Sequence, residues 1–144
     1  MTTKLRLDHI SGMRFVAQGP SGRPIHFDVG PERGGEGPTP METLLACAAA
    51  CTGMDVVSIL GKTGVGFSDF WIDIEGRRAE THPRVYEEIR IEYHFVGQEK
   101  NRGDYEKAAR LSIEKYCSVS AHLKAIARLE WEVIIHPERA GAGF

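Results

Sequence analysis

The chain has 144 residues, of which 42% are hydrophobic and 26% are charged, and its formal net charge is -2. This length and composition are typical of one globular domain with a core of ordinary size. A slightly acidic chain without a basic excess argues against a nucleic-acid-binding protein and against binding to an anionic membrane surface.

The cysteines are interpreted through the compartment in which we expect the protein. The N-terminal segment MTTKLRLDHI has no apolar core, so no signal peptide is predicted. The apolar stretch 44–60 is too short and too often interrupted for a membrane span. We therefore expect a cytoplasmic protein with no membrane partner. In that reducing compartment Cys47, Cys51 and Cys117 are free core thiols, metal ligands or redox groups.

Strands are predicted at the start of the chain. Apolar and polar residues alternate over residues 5–8 and again over residues 25–29, as in strands with one buried face. Residues 30–38, GPERGGEGP, contain four glycines and no periodicity, which indicates a flexible loop.

A long helix follows this loop. Thr39 suits the N-cap, Pro40 the first helical position, and Glu42 completes a capping box. The helix is predicted from about residue 40 to residue 60, ending near Gly61 or Gly64. Glu42 could instead pair with an arginine, but the spacing favours the cap.

This helix is apolar nearly all round, since 13 of the 17 residues from 44 to 60 are apolar. A helix of this kind needs cover on nearly every side. We predict that a second copy of the chain supplies part of that cover, so that the protein is a homodimer. The alternative is a central helix wrapped by the sheet of its own subunit.

The remainder of the chain predicts a strand pair, two helices and a last strand. Residues 70–74 and 89–95 alternate, which places His94 on a solvent face, and Leu129 to Ile135 form the final strand. A helix capped by Asp104 reaches Cys117, and Ser118 or Ser120 could cap a short helix ending at residue 127. The order β-β-β-α-β-β-α-α-β, with mostly antiparallel strands, predicts an α+β fold. One domain is expected over residues 1–144, with a frayed tail over about 137–144.

Cys51 and Cys117 lie on separate predicted helices and could meet only in the fold. A thiol attacks a peroxide as the thiolate, and a second thiol is then needed to convert the sulfenic acid into a disulfide. Cys51 lies about three turns into its helix, too far for the helix dipole to help, so an arginine would have to stabilise its thiolate. A buried cysteine that serves only as a small hydrophobic residue is the simpler alternative.

Two other interpretations involve Cys47. It is four residues from Cys51 and so shares its helix face. With Cys117 and His122 these residues could form a four-ligand zinc site, although small residues and cysteines at this spacing usually indicate packing. Cys47 could also be a spare thiol that intercepts the sulfenic acid.

Two segments, GPTPMETLLACAAACTGMDVVSIL and EKYCSVSAHLK, together resemble the OsmC/Ohr family, the osmotically induced and organic hydroperoxide resistance proteins. The resemblance extends from the first strands to the strand of Trp131. It implies an intertwined homodimer in which a mainly antiparallel sheet surrounds long central helices. It also implies a thiol peroxidase acting in oxidative stress defence, whose active sites lie between the subunits.

Carried over by position, the resemblance makes Cys51 the peroxidatic cysteine and Cys117 the resolving cysteine. Arg14 matches the family's activating arginine best, with Arg23 and Arg33 as looser alternatives. No bound cofactor and no metal are implied; the substrate is a hydroperoxide, and the reductant is an external dithiol, either a small molecule or a protein.

One departure from the family pattern indicates a less characterised branch. A glutamate is expected ten residues before the reactive cysteine, but Met41 stands there and Glu42 is one position away. On a helix that offset turns the side chain by about 100°. This departure motivates an alternative function, a non-catalytic dimer that binds an apolar ligand or partner.

Overall fold

The computed structural model describes residues 1–138. Residues 139–144, which make up most of the predicted frayed tail 137–144, lie outside the described part. Residues 1–138 form six strands and three α-helices in the order β-β-β-α-β-β-α-α-β, so the predicted α+β class is confirmed. The chain divides into two compact units, Met1–Leu44 and Leu45–Phe144, which are described separately. The prediction of one domain over residues 1–144 stays a prediction.

The first unit is built on a three-stranded antiparallel sheet in the order β1-β2-β3. The strands are β1 (Arg6–Ser11), β2 (Arg14–Gln18) and β3 (Ile25–Phe27). The predicted burial of one face of β1 is wrong within this chain, because all six of its residues are exposed. Leu7 is 57% exposed and Ile10 is 55% exposed, so the apolar residues of this strand are not covered by the rest of the described chain.

Helix α1 (Pro40–Thr63) begins with the predicted capping box. The amide of Glu42 donates to Thr39 Oγ1 at 3.2 Å, and the amide of Thr39 donates to Glu42 Oε2 at 3.3 Å. Each side chain thereby satisfies an amide that would lack a partner at a helix start. The helix runs three residues beyond the predicted end at residue 60 and stops at Gly64, whose φ of 72° suits glycine.

The second unit contains the main core. Its sheet has the order β4-β5-β6, with β4 (Asp69–Arg78) antiparallel to β5 (Tyr86–Val96) and β6 (Arg128–His136) parallel to β5. A parallel neighbour needs a crossover connection, which the helices between β5 and β6 supply. The inner face of β5 is fully buried, as its alternation predicts, and consists of Ile89, Ile91, Tyr93 and Phe95.

The segment between β5 and β6 differs from the predicted pair of capped helices. Helix α2 (Arg102–Leu111) begins before Asp104, which lies in its first turn and is not the N-cap. Residues Ser112–Tyr116 form one π-helical turn, and α3 (Ser118–Lys124) follows. The cap of α3 is Cys117, not Ser118 or Ser120, and α3 ends three residues before the predicted residue 127.

Only one strip of α1 is buried, consisting of Ala48, Thr52, Val56 and Leu60. The other apolar side chains of α1 are half-buried or exposed, and among the exposed ones Met54 is 72% and Val57 47% exposed. By length and composition alone α1 could cross a membrane, a property shared by core helices of soluble proteins. The polar Thr52 on its buried strip instead suits a helix that packs on protein.

Candidate active site

The structure brings Cys51 and Cys117 together. Their sulfur atoms and a carboxylate oxygen of Asp55 all lie within 4.8 Å of one another. Cys51 is half-buried on α1, whereas Cys117 is 2% exposed at the junction between the π-helical turn and α3. The predicted meeting of two cysteines that are far apart in the sequence is therefore present, and Cys51 is the more accessible of the two.

Cys117 also shapes the backbone around itself. Its amide donates to the carbonyl of Ser112 at 2.7 Å, the i to i+5 bond of a π-helical turn. Its sulfur accepts from the amide of Ser120 at 3.4 Å and, as a thiol, donates to Ser120 Oγ at 3.0 Å. The side chain is thus held by the start of α3 and has one well-defined position next to Cys51.

Burial raises the pKa of the Cys117 thiol above its usual range. Hydrogen bonds from Ser120 act in the opposite direction, because they stabilise the thiolate, while the neighbouring Cys51 raises the pKa further. The geometry and the electrostatics together describe Cys117 as a protonated, shielded thiol.

Asp55 is held by a chain of buried hydroxyl groups. Ser112 Oγ donates to Asp55 Oδ2 at 2.8 Å, Thr52 Oγ1 lies 2.7 Å from Ser112 Oγ, and Tyr93 Oη lies 2.7 Å from Thr52 Oγ1. Thr52, Tyr93 and Ser112 are each completely buried. The chain links α1, β5 and the π-helical turn, the three elements that surround the thiols.

The direction of this chain follows from its chemistry. Each hydroxyl has one hydrogen, and that of Ser112 goes to the Asp55 carboxylate. Thr52 must then donate to Ser112, and Tyr93 must donate to Thr52. Burial raises the pKa of Tyr93, which keeps its phenol protonated for that role. All three hydrogens therefore point toward the carboxylate, which fixes Asp55 beside both sulfur atoms.

Asp55 is a site residue that the sequence interpretation missed. The available signal was its position, four residues after Cys51 on the same helix, which places both on one face. That spacing alone did not distinguish Asp55 from a solvent-facing carboxylate. Its partner Ser112 is 57 residues away, and no local pattern connects the two.

The other predicted residues lie apart from this cluster or in the other unit. Arg14 is exposed on β2 of the first unit, where its charge contributes to lowering the pKa of Asp28, after the hydrogen bonds from the amides of Glu36 and Val29. Its pairing with Cys51 stays a prediction. Glu42 forms the cap, as the spacing favoured.

The four-ligand zinc arrangement considered above is not formed in the described residues 1–138. Cys47 is exposed, and His122 Nδ1 is hydrogen-bonded to the carbonyl of Ser118 at 2.7 Å on an exposed face. Neither residue belongs to the group of Cys51, Asp55 and Cys117.

Comparison with known proteins identifies the family. The family model described as OsmC-like protein matches residues 33–132, more than half of the chain. The chain belongs to the OsmC-like family. Protein YhfA of Escherichia coli K12 is 31% identical over 131 residues, which cover 90% of this chain and 96% of YhfA.

Solved structures agree with this membership. A hypothetical protein from Aquifex aeolicus is 35% identical, with a TM-score of 0.78 over 94% of this chain and 98% of the other. An organic hydroperoxide resistance protein OsmC from Legionella pneumophila, also described as a predicted redox protein, is 18% identical. Its TM-score is 0.68 over 92% of this chain and 96% of its own. At 18% identity, this similarity confirms that the chain has the OsmC fold.

The raised pKa of Cys117 makes stability depend on pH. The folded protein holds this proton more tightly than the unfolded chain, so the contribution is complete below the ordinary thiol pKa of about 8.5. It is lost as the pH rises from there through the raised folded value. We expect the urea concentration at the unfolding midpoint of the reduced protein to decrease as the pH is raised from 7.5 to 10. In Cys117→Ser, which keeps an acceptor for the Ser120 amide but does not titrate, the fall should be smaller. An equal fall in both proteins would contradict the effect.

Proposed function

We propose that this OsmC-like protein is a thiol-dependent hydroperoxide reductase in which Cys51 is peroxidatic and Cys117 is resolving. The observation that carries the proposal is the approach of the two sulfur atoms, within 4.8 Å, in a fold shared with an organic hydroperoxide resistance protein. The difference in exposure supports the assignment of roles, since a substrate can reach Cys51 more easily than Cys117.

The first step oxidises Cys51. Its thiolate attacks one oxygen of the peroxide, the O–O bond breaks, and the leaving alkoxide takes up a proton to become an alcohol. Cys51 becomes a sulfenic acid. Arg14 is the residue that best matches the activating arginine of the family by position. We propose that its positive charge favours the Cys51 thiolate.

The second step forms the disulfide. Cys117 attacks the sulfenic sulfur, an S–S bond of about 2.05 Å forms, and hydroxide leaves. Asp55 is next to both sulfurs, so we assign it the transfer of the Cys117 proton to the leaving hydroxide, which departs as water. An external dithiol then reduces the disulfide by exchange and is itself oxidised to a disulfide.

Peroxide consumption tests the cysteine pair. Reduced protein is mixed with cumene hydroperoxide or hydrogen peroxide, free thiols are counted, and the bridge is mapped by mass spectrometry. We expect loss of two thiols and a Cys51–Cys117 disulfide. Cys117→Ser should stop at a sulfenic acid on Cys51 that dimedone traps, and Cys51→Ser should lose the reaction. Cys47→Ser is the matched control on the same helix and should react normally.

If neither peroxide consumes Cys51, the protein is not a peroxidase of this kind. Unchanged peroxide resistance in cells carrying Cys51→Ser would point the same way. A non-catalytic role in binding an apolar ligand or partner would then be the better interpretation.

The two charged groups should affect different steps. Arg14→Gln removes the cation proposed to stabilise the Cys51 thiolate, so sulfenic acid formation should slow at least about tenfold, while Arg6→Gln, an exposed arginine on β1, serves as its control. Asp55→Asn removes the proposed proton carrier, so disulfide formation should slow by a similar factor and sulfenic acid should accumulate. Stopped-flow measurements that follow the two steps separately give both rates. If Asp55→Asn forms the disulfide at the normal rate, Asp55 has no role in proton transfer.

We also propose that the protein acts as a homodimer. The support is the apolar surface that one chain leaves open, on β1 of the first unit and on α1, where Met54 is 72% exposed. Light scattering after size exclusion should give twice the chain mass of 16.0 kDa. Met54→Lys should shift that mass toward the monomer, whereas Lys62→Met, at the end of the same helix, should not. A monomeric wild-type protein at micromolar concentration would overturn the proposal.

A further inference from the structure

A second group of ionisable residues lies on the outer face of the second sheet, away from the thiols. Asp73 on β4 is paired with Glu92 on β5, and Trp71 is paired with His94, so alternation places all four side chains on one face. His94 was predicted to face solvent, and it does lie on the outer face. It is nevertheless only 8% exposed, which corrects that prediction.

The burial of His94 comes from its neighbours. The indole of Trp71 is stacked on the His94 imidazole at 5.0 Å between centroids, and the ring of His136 on β6 lies at 5.0 Å from both. The His94 side chain is only 10% exposed, and polar side-chain atoms with so little access to water are normally hydrogen-bonded within the protein. Those partners define the site.

His94 Nε2 is directed between two carboxylates. It lies 3.1 Å from Asp73 Oδ2 and 3.3 Å from Glu92 Oε1. Two carboxylate oxygens and one imidazole nitrogen therefore meet around a position that a hydrogen on Nε2 can occupy. A metal ion bound there would take the place of that hydrogen.

The separations suit a metal ion as well as a hydrogen. Bonds of about 2.0–2.2 Å from the metal ion to nitrogen and oxygen put neighbouring donors about 2.8–3.6 Å apart, from octahedral to tetrahedral angles. The distances from His94 Nε2 to the two carboxylates, 3.1 and 3.3 Å, fall within that span. The three donor atoms need little rearrangement to become three corners of a coordination polyhedron, and the half-exposed Asp73 leaves room for water at the others.

Surrounding residues hold two of the three donors in place. His94 Nδ1 lies 2.8 Å from His136 Nε2, and a hydrogen donated in that direction leaves the Nε2 lone pair directed at the carboxylates. Arg90 donates to Glu92 Oε2 at 3.3 Å, which leaves Oε1 for the site. Hydrogen bonds from neighbouring groups to the ligands are a regular feature of protein metal sites.

We propose that Asp73, Glu92 and His94 bind a divalent first-row transition metal ion, and that His136 is the residue that orients His94. One imidazole with two carboxylates suits zinc and its neighbours in the row better than calcium, which prefers oxygen ligands alone. The site is separate from the cysteine pair and does not depend on the proposed reductase activity.

Zinc titration with a thiol-free control tests the site. Zinc chloride is titrated into the full chain and into Cys47→Ser/Cys51→Ser/Cys117→Ser, with calorimetry and native mass spectrometry as readouts. The triple variant should still bind a zinc ion. Asp73→Asn and His136→Gln, introduced into that variant, should each weaken binding at least about tenfold. Glu130→Gln, a carboxylate change on β6 at the other end of the same face, should leave it unchanged.

Cobalt chloride supplies a readout that does not depend on folding yields. Cobalt bound by nitrogen and oxygen gives no thiolate-to-metal charge-transfer band, and it should quench Trp71, which is stacked on His94. The proposal would be overturned if the triple variant bound no zinc, or if Asp73→Asn bound zinc as tightly as the triple variant into which it is introduced. It would also be overturned if cobalt gave a thiolate band in the full chain, and removal of the cysteines abolished both that band and all cobalt binding.

Discussion

The position of the thiols depends on one buried chain of hydrogen bonds, from Tyr93 through Thr52 and Ser112 to Asp55. The three hydroxyl groups are completely buried. Each one left without a hydrogen-bond partner would cost the folded state about 1–3 kcal/mol. They satisfy one another only when α1, β5 and the π-helical turn are in one arrangement. That arrangement places Cys51 and Cys117 side by side, so the polar core specifies the site as well as the fold.

Cys117 depends on this arrangement and also contributes to it. Its amide closes the π-helical turn on Ser112, the same residue that holds Asp55. Its sulfur begins α3 by accepting from Ser120. This turn is wider than an ordinary α-helical turn, and Cys117, the residue that follows it, is 2% exposed.

Local patterns in the sequence were sufficient for most of the fold. Thr39, Pro40 and Glu42 predicted the start of α1, because a capping box depends only on residues within one turn. Alternation over residues 89–95 predicted the inner face of β5 for the same reason. Burial of β1 was predicted wrongly, since alternation shows which residues share a face but not what covers that face. The parallel pairing of β6 and the turn at Ser112–Tyr116 depend on contacts distant in sequence.

In the candidate site, too, some residues could be predicted from the sequence and others could not. The resemblance to OsmC proteins, which the family match confirms, indicated the cysteine pair. Asp55 could not be predicted, because its role depends on Ser112 and, through it, on Thr52 and Tyr93. His94 was placed on the correct face of β5, but its burial comes from Trp71 and His136 on two other strands. In both cases the missing information was a meeting of side chains from three elements.

The capping role of Cys117 determines which hydrogen bonds a change in its oxidation state would affect. A thiol at this position can donate to Ser120 Oγ as well as accept from the Ser120 amide, whereas a sulfur in a disulfide has no hydrogen to donate. Oxidation would therefore remove one of the two bonds that fix the first turn of α3. The side chain of Lys124 at the end of α3 donates to the carbonyl of Ile113, so the short helix connects the thiol to the turn that precedes it. The bond from the Ser120 amide needs no hydrogen on the sulfur, so a disulfide at Cys117 would free the Ser120 hydroxyl and leave the backbone cap of α3 in place.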